Sequence, residues 1–536
     1  MSSSPSSSSP ASMSPSSMSP ASSSSAGQTA AEPSPQEARR ARIALVTIVT
    51  CQLMLVLDIT IVNVALPRIR ESLGFSATDL AWVINAYTLA YGGLLLLGGR
   101  AGDLMGRRAT LLGGIALFTI ASLLGGLSTA PWMLVAARVG QGVGAACASP
   151  NALALIAANF PPGPARTRAM GAWAAVAGVG GSIGLIAGGM LTTWLSWRWV
   201  MFINVPFGLV ILLLAPRYLR TPPRREGRFD AAGALSSVVG LASGVYGFLR
   251  ASSDGWADGR TLGAFLLAVV ALAAFLVVES RAAQPVVPLR LVAEAARART
   301  YLLMLLLTGS MLSMFFFGTQ VLQEVLGLSA LRAGLAFLPL SLGILVSASR
   351  ASRLLPRTGP KPLMLVGAAL STGGMLWLAQ VSVTSSYISV VLGPLLLFGA
   401  GLGLLFVPLS VSLVAGVPAE HSGAAASMMV TTQQVGGSLG LAVLVTVFGG
   451  AARHARGDAP GGLAPGELAR YVLAHGVAEA FTVGAIGVAV IFLTVLLTRP
   501  IPVGDTPRPS VPDPATEAGT EVTGTAGAGA LDGGRI

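Results

Sequence analysis

The chain has 536 residues, of which 53% are hydrophobic and 10% charged, against roughly 25% charged in a soluble domain. This balance excludes an ordinary soluble enzyme and predicts an all-α integral membrane protein. The net charge of +12 does not mark a nucleic-acid partner, because the arginines gather in alternate loops between apolar runs, as positive-inside loops do.

Residues 1–42 are rich in Ser and Pro and hold too little apolar bulk to offset the entropy of ordering, so a disordered cytoplasmic tail is expected. Fourteen apolar runs follow, each long enough to cross a hydrocarbon core of about 30 Å at about 1.5 Å per residue. They begin near Ile43, Leu80, Ala109, Pro131, Ala169, Trp199, Ala231, Thr261, Tyr301, Ala333, Pro362, Tyr387, Gly423 and Val477. Arg39, Arg40 and Arg42 precede the first run, Arg100, Arg107 and Arg108 follow the second, and Arg166 and Arg168 follow the fourth. The pattern predicts a multi-pass plasma-membrane protein with both termini in the cytoplasm, which requires an even number of spans.

These runs divide into a six-helix bundle over 43–216, two central helices and linkers over 217–300, and a second six-helix bundle over 301–498. An outward loop is expected near 449–477, where PGELARYVLAH reads as a short amphipathic helix, and 499–536 reads as a second disordered tail. A faint repeat links the halves. GGRAGDLMGRR after the second run finds an echo in SRLLPRTGPKP after the tenth, with Gly359 matching Gly106 and Lys361 matching Arg108.

Asp58 lies inside an apolar run, and a carboxylate there costs roughly 2.5 to 3.5 kcal/mol on insertion scales. Low-dielectric surroundings favour the neutral form of a carboxylate, which makes Asp58 a candidate to hold and release a proton. Arg138, in LVAARVGQGVGAA, is the second intramembrane charge, placed either to tune a carboxylate or to bond to carbonyls. Glu324, Asp230 and Glu279 read as exposed acids at span ends, and the run Phe315 to Phe317 as core or apolar pocket. Cys51 and Cys147 fall inside runs. The three histidines lack metal-ligand spacing, and Lys361, the one lysine, is followed by proline, so there is no phosphate-cradling Gly-Lys-Ser/Thr loop. No cofactor and no enzymatic activity are expected, which leaves an ion gradient as energy source.

Gly99, Asp103, Gly106, Arg107 and Arg108 resemble the loop signature G-x-L-x-D-R-x-G-R-R of the major facilitator superfamily, with Ala101 and Leu104 standing where Leu and a basic residue are usual. The resemblance implies that Asp103 latches one conformation by pairing with an Arg or a helix N-terminus. A basic loop that only anchors orientation is the alternative. LDITIVNVALPRI, containing Asp58 and Asn63, resembles the first-span motif of the drug:proton antiporters in that superfamily, and Arg138, Gln141, Gly142 and Gly144 match its third signature. GVGGSIGLIAGG resembles the antiporter motif G-x-x-x-G-P-x-x-G-G, with Gly180, Gly184, Gly188 and Gly189 in place and Leu185 at the proline. WRWVMFINVPFG, with Arg198, Asn204 and Pro206, is similar to the sequence leading into the sixth span of the fourteen-spanner branch, as are the stretches around Gln323 and Gln434.

The resemblance covers about residues 43–498 and implies a major-facilitator-like fold, two six-helix bundles plus two extra central helices. It implies proton-coupled efflux of amphipathic small molecules such as antibiotics, with Asp58 and Arg138 at the proton site. Asn63, Gln141, Phe316, Gln323 and Gln434 are then candidates to line the substrate cavity. An importer or lipid translocator on the same scaffold, and a membrane sensor that binds without transporting, remain open.

Overall fold

The computed structural model describes residues 34–160, 164–221, 231–281, 294–414, 417, 422–460 and 463–498. Both tails, and Asp230 with them, lie outside the described residues apart from Ser34 to Arg42. Every regular element described is helical, and the helices form fourteen rods. They are α1 (Pro35–Leu73), α2 (Trp82–Ala101), α3 (Arg107–Gly126), α4 (Pro131–Asn159), α5 (Pro164–Trp194), α6 (Trp199–Tyr218), α7 (Ala231–Asp254), α8 (Gly259–Arg281), α9 (Ala295–Val325), α10 (Ala330–Thr358), α11 (Pro360–Leu378), α12 (Ile388–Leu413), α13 (Ser422–Gly457) and α14 (Pro465–Leu497). Nine segments among the described residues are long and apolar enough to cross a membrane, and one of these, Asp79–Gly126, holds both α2 and α3.

Two boundaries differ from expectation. The first helix begins at Pro35 rather than Ile43, inside the expected tail, because Ser34 caps it. The Ser34 hydroxyl accepts from the Glu37 N–H, the Glu37 carboxylate accepts from the Ser34 N–H, and Pro35 occupies the first turn. The outward loop expected over 449–477 is mostly helix, since α13 runs to Gly457 and α14 starts at Pro465. PGELARYVLAH is thus the opening of a long helix, its start fixed by Pro465 and by the Glu467 carboxylate, which accepts from the Ala464 N–H.

The rods pack by one rule repeated. In the first half α1 lies against α4, α5 and α6, α4 against α2 and α3, and α3 against α6. Adding eight to each label gives the packing of the second half: α9 against α12, α13 and α14, α12 against α10 and α11, and α11 against α14. The seams between halves obey it as well, since α2 meets α13 where α5 meets α10. The central pair α7 and α8 falls outside the rule. It packs on itself and docks through α7 onto α2 and α13, covering one seam and not the other.

The faint sequence echo is structural. Gly106 and Gly359 each precede the first residue of α3 and α11 with positive φ, 104° and 72°, a backbone that disfavours any side chain. Arg108 then donates to the carbonyls of Pro216 and Leu219 at the end of α6, at 3.1 Å each. Lys361 donates to those of Leu496 and Thr498 at the end of α14, at 3.0 and 2.7 Å. Each cation neutralises the negative end of a helix. A second repeat, not anticipated above, is VGGSIGL (179–185) in α5 against VGGSLGL (435–441) in α13. Without a hydrophobic drive between helices in lipid, close backbone approach through small residues supplies the contact. Gly184 faces Thr60 of α1, and Gly440 faces Gly309 of α9.

Two apolar clusters form the interior. One stays within the first half, around Ile48, Met54, Phe118 and Ile156. The other begins at the Gly74 end of α1 and α2, with Val62, Leu66 and Leu80, and continues across the seam through Met304 and Phe317 into the second half. The halves therefore share a core at the Gly74 face.

Candidate functional site

Asp58 is 0% exposed and Arg138 1% exposed, and the two form an ion pair with 2.5 Å between Arg138 Nη1 and Asp58 Oδ2. The carboxylate sits midway along α1 where α4 and α6 cross it. Its other oxygen accepts from Gln141 Nε2 at 2.9 Å and from Asn204 Nδ2 at 2.8 Å. Arg138 is held in turn: Nε donates to the Val83 carbonyl at 2.8 Å, Nη1 donates to Gln141 Oε1 at 2.9 Å, and the guanidinium lies 4.4 Å from the centroid of the Tyr87 ring. Gln141 Nε2 also donates to Ser122 Oγ at 2.7 Å, and Ser122 donates to the Phe118 carbonyl. Five rods of the first half thus meet in one network around the carboxylate, which accepts from Arg138, Gln141 and Asn204. A buried pair of this kind survives only when its desolvation is met by such contacts.

Of the two roles left open for Arg138, the structure shows both, since it pairs with Asp58 and also donates to the Val83 carbonyl. Gln141 was expected in the substrate cavity, and the structure places it in this network instead. Asn204, Ser122 and Tyr87 were not assigned to the site from sequence. Asn204 stood only within the WRWVMFINVP signature. Its Oδ1 is buried without a hydrogen-bond partner, an omission that ordinarily costs on the order of 1–3 kcal/mol.

The remaining candidates lie elsewhere. Asn63 donates to its own helix at Ile59. Phe316 is buried edge-on to Phe317, which packs on Phe448 and Phe481, so the aromatic run fills the core of the second half. Gln434 packs against Gly92 at the seam of α2 and α13. Gln323 donates to the Val64 carbonyl across the seam at 2.7 Å. None of these four bonds to Asp58, whose partners are Arg138, Gln141 and Asn204.

Asp103 pairs within its own turn, with 2.6 Å to Arg107. The tight approaches of α2 to α4 fall at Gly98, which meets Ala146, and at Gly142, which meets Tyr87 and Ala90, with Gly102 just past α2 meeting Asn151, whereas Gly99 has ordinary clearance from Pro150. Of the antiporter-like glycines, Gly180, Gly184 and Gly188 face α1 at Val56, Thr60 and Ile61, while Gly189 faces Ala330 and Leu331 of the other half. The backbone of Leu185, at the expected proline, packs against Gly334.

Links between the halves gather at the Gly74 face. Glu324, expected as an exposed acid, pairs with Arg70 at 2.9 Å, because the wide helical turn Val321–Val325 swings it over the end of α1. The Leu331 N–H donates to Thr193 Oγ1, and Ser438 donates to Asn85 Oδ1. Glu279 is likewise buried rather than exposed. Among the described residues no cluster of His, Cys, Asp and Glu could hold a metal ion.

The two-half helical architecture and the buried pair define a secondary-transporter class of membrane protein. The sequence pattern of the Major Facilitator Superfamily matches residues 48–441, and the chain belongs to that family. It is 42% identical over 414 residues to the cephamycin export protein CmcT of Amycolatopsis lactamdurans, covering 76% of this chain and 85% of that one. It is 43% identical over 413 residues to the puromycin resistance protein pur8 of Streptomyces alboniger, covering 76% and 82%. Among solved structures, an auto-inhibited peptide transporter of the POT family shares the fold with a TM-score of 0.61 at 16% identity, over 88% of this chain and 99% of that one.

Proposed function

We propose that this chain exports amphipathic small molecules, antibiotics among them, from the cytoplasm in exchange for protons, crossing the plasma membrane fourteen times with both termini inside. The buried Asp58–Arg138 pair carries the reading, since ionisable residues inside a membrane bundle are costly, rare and mark proton or substrate pathways. Relatives named for export of and resistance to antibiotics support the substrate class and the direction. The arginine-rich loops support an orientation with the Gly106 turn in the cytoplasm and the Gly74 turn outside.

In this orientation the halves are joined at the outer face by Arg70–Glu324, Gln323–Val64 and Thr193–Leu331. A proton arriving at Asp58 removes its charge and with it the Coulomb attraction to Arg138. Arg138 keeps the Val83 carbonyl, Gln141 and the Tyr87 face, so proton occupancy changes how tightly α1 holds α4 while leaving Arg138 in place. Substrate and proton then bias one rocking equilibrium of the two halves about the α2–α13 and α5–α10 seams. Direction is tested in everted membrane vesicles with puromycin and with ethidium. Energisation is expected to drive accumulation that a protonophore releases, and energised depletion of both probes contradicts export.

A further inference from the structure

We infer that Asn204 is a positioning residue that follows the protonation of Asp58 by turning its side-chain amide over, donating to the carboxylate and accepting from the carboxylic acid. The inference rests on the proton-site reading above and deepens it.

When Asp58 takes a proton it becomes a donor as well as an acceptor, and the new O–H needs an acceptor within reach. The neighbouring acceptors are engaged. Gln141 Oε1 accepts from Arg138, Ser122 Oγ accepts from Gln141, and the Val83 carbonyl accepts from Arg138 Nε. Asn204 Oδ1 is buried and unpartnered, on the same amide whose Nδ2 already lies 2.8 Å from Asp58 Oδ1. A half-turn about the terminal torsion of Asn204 brings Oδ1 to the place of Nδ2. That torsion is soft and roughly two-fold in its preferences. One amide atom is left without a partner before the turn and one after it, so the swap itself is close to level in energy and proton occupancy decides its direction. A buried unpartnered polar atom calls for an explanation of this kind.

The groups facing Asp58 from the packed helices define what else responds. Arg138 of α4 and Tyr87 of α2 are the ionisable ones, α3 offers Ser122, and α5 presents the glycine face at Gly184. Arg138 has no acceptor and Ser122 Oγ already takes the Gln141 N–H, while the Tyr87 hydroxyl is buried without a partner; of the unpartnered buried acceptors, only that of Asn204 belongs to a group already bonded to the carboxylate. Asn204 is the first residue of the helix Asn204–Tyr218, directly after the turn at Ile203 that follows the short helix Trp199–Phe202.

The test is infrared difference spectroscopy of the purified full-length protein in liposomes, titrated over pH with 13C-labelled asparagine. In the native sequence a protonated-carboxyl band, assigned to Asp58 by its loss in Asp58→Asn, is expected to rise together with a shifted asparagine side-chain amide band at the same midpoint. In Asn204→Leu the amide change is expected to vanish and the Asp58 carboxyl band to move to the higher frequency of an acid O–H without an acceptor. An unmoved carboxyl band in Asn204→Leu overturns the inference, and so does a static amide band in the native sequence. Absence of any Asp58 carboxyl band overturns the proton-site reading itself and the inference with it.

Discussion

Arg70 and Glu324 join the ends of α1 and α9 through both carboxylate oxygens, at 3.1 and 2.9 Å, with side chains 34% and 26% exposed. A half-open ion pair of this kind contributes on the order of 1 kcal/mol. It biases the contact between halves without locking it, and a transporter that must reopen that contact needs such a fastening.

Neutralising one partner is therefore expected to favour opening of the Gly74 face by a few-fold. In a background lacking Cys51 and Cys147, Ala330→Cys, buried at this face in the native protein, is expected to react with a membrane-impermeant maleimide a few-fold faster in Glu324→Gln. The exchange Arg70→Glu with Glu324→Arg is expected to return the rate toward its original value. Equal rates in all three remove the pair from gating.

Arg138→Met leaves the Asp58 carboxylate buried without its cation, an arrangement that costs about 3–5 kcal/mol. Thermal unfolding in detergent is expected to show a marked loss for Arg138→Met and a smaller one for Arg138→Lys, which keeps charge but loses the guanidinium fork. Asp58→Asn combined with Arg138→Met is expected to recover most of the stability. Additive losses in the double variant contradict a direct pair.

Gly184 lies against Thr60 with no room for a β-carbon, while Gly171 on the same helix has none of its surroundings within 4 Å of that position. Gly184→Val is expected to destabilise by about 1–3 kcal/mol, and Gly171→Ala to be tolerated. Indistinguishable melting curves for Gly184→Val and the native protein contradict the close approach of α1 and α5.

Legibility from sequence followed chemical contrast. Asp58 and Arg138 stand out because a charge in an apolar run is costly, yet their pairing joins residues 80 apart and depends on how α1 crosses α4. Asn204 and Ser122 carry no such anomaly, since an amide or hydroxyl near the start or middle of a span is ordinary. Arg70 and Glu324 sit at span ends, where charge is the norm, so their meeting was hidden. The fourteen rods were readable to within a few residues at α4, α6 and α7, whose starts at Pro131, Trp199 and Ala231 follow breaks in hydropathy. Helices that run past the bilayer, α1 at its start and α13 and α14 at their junction, looked like tail and loop because their outer turns are polar.

The central claim is that Asp58 couples protons to substrate, and the most direct measurement is the pH change inside proteoliposomes when puromycin or ethidium is added. The native protein is expected to move protons on addition of substrate. Asp58→Asn, inserted and monodisperse, is expected to give no proton movement, and undiminished proton movement in that variant contradicts the account.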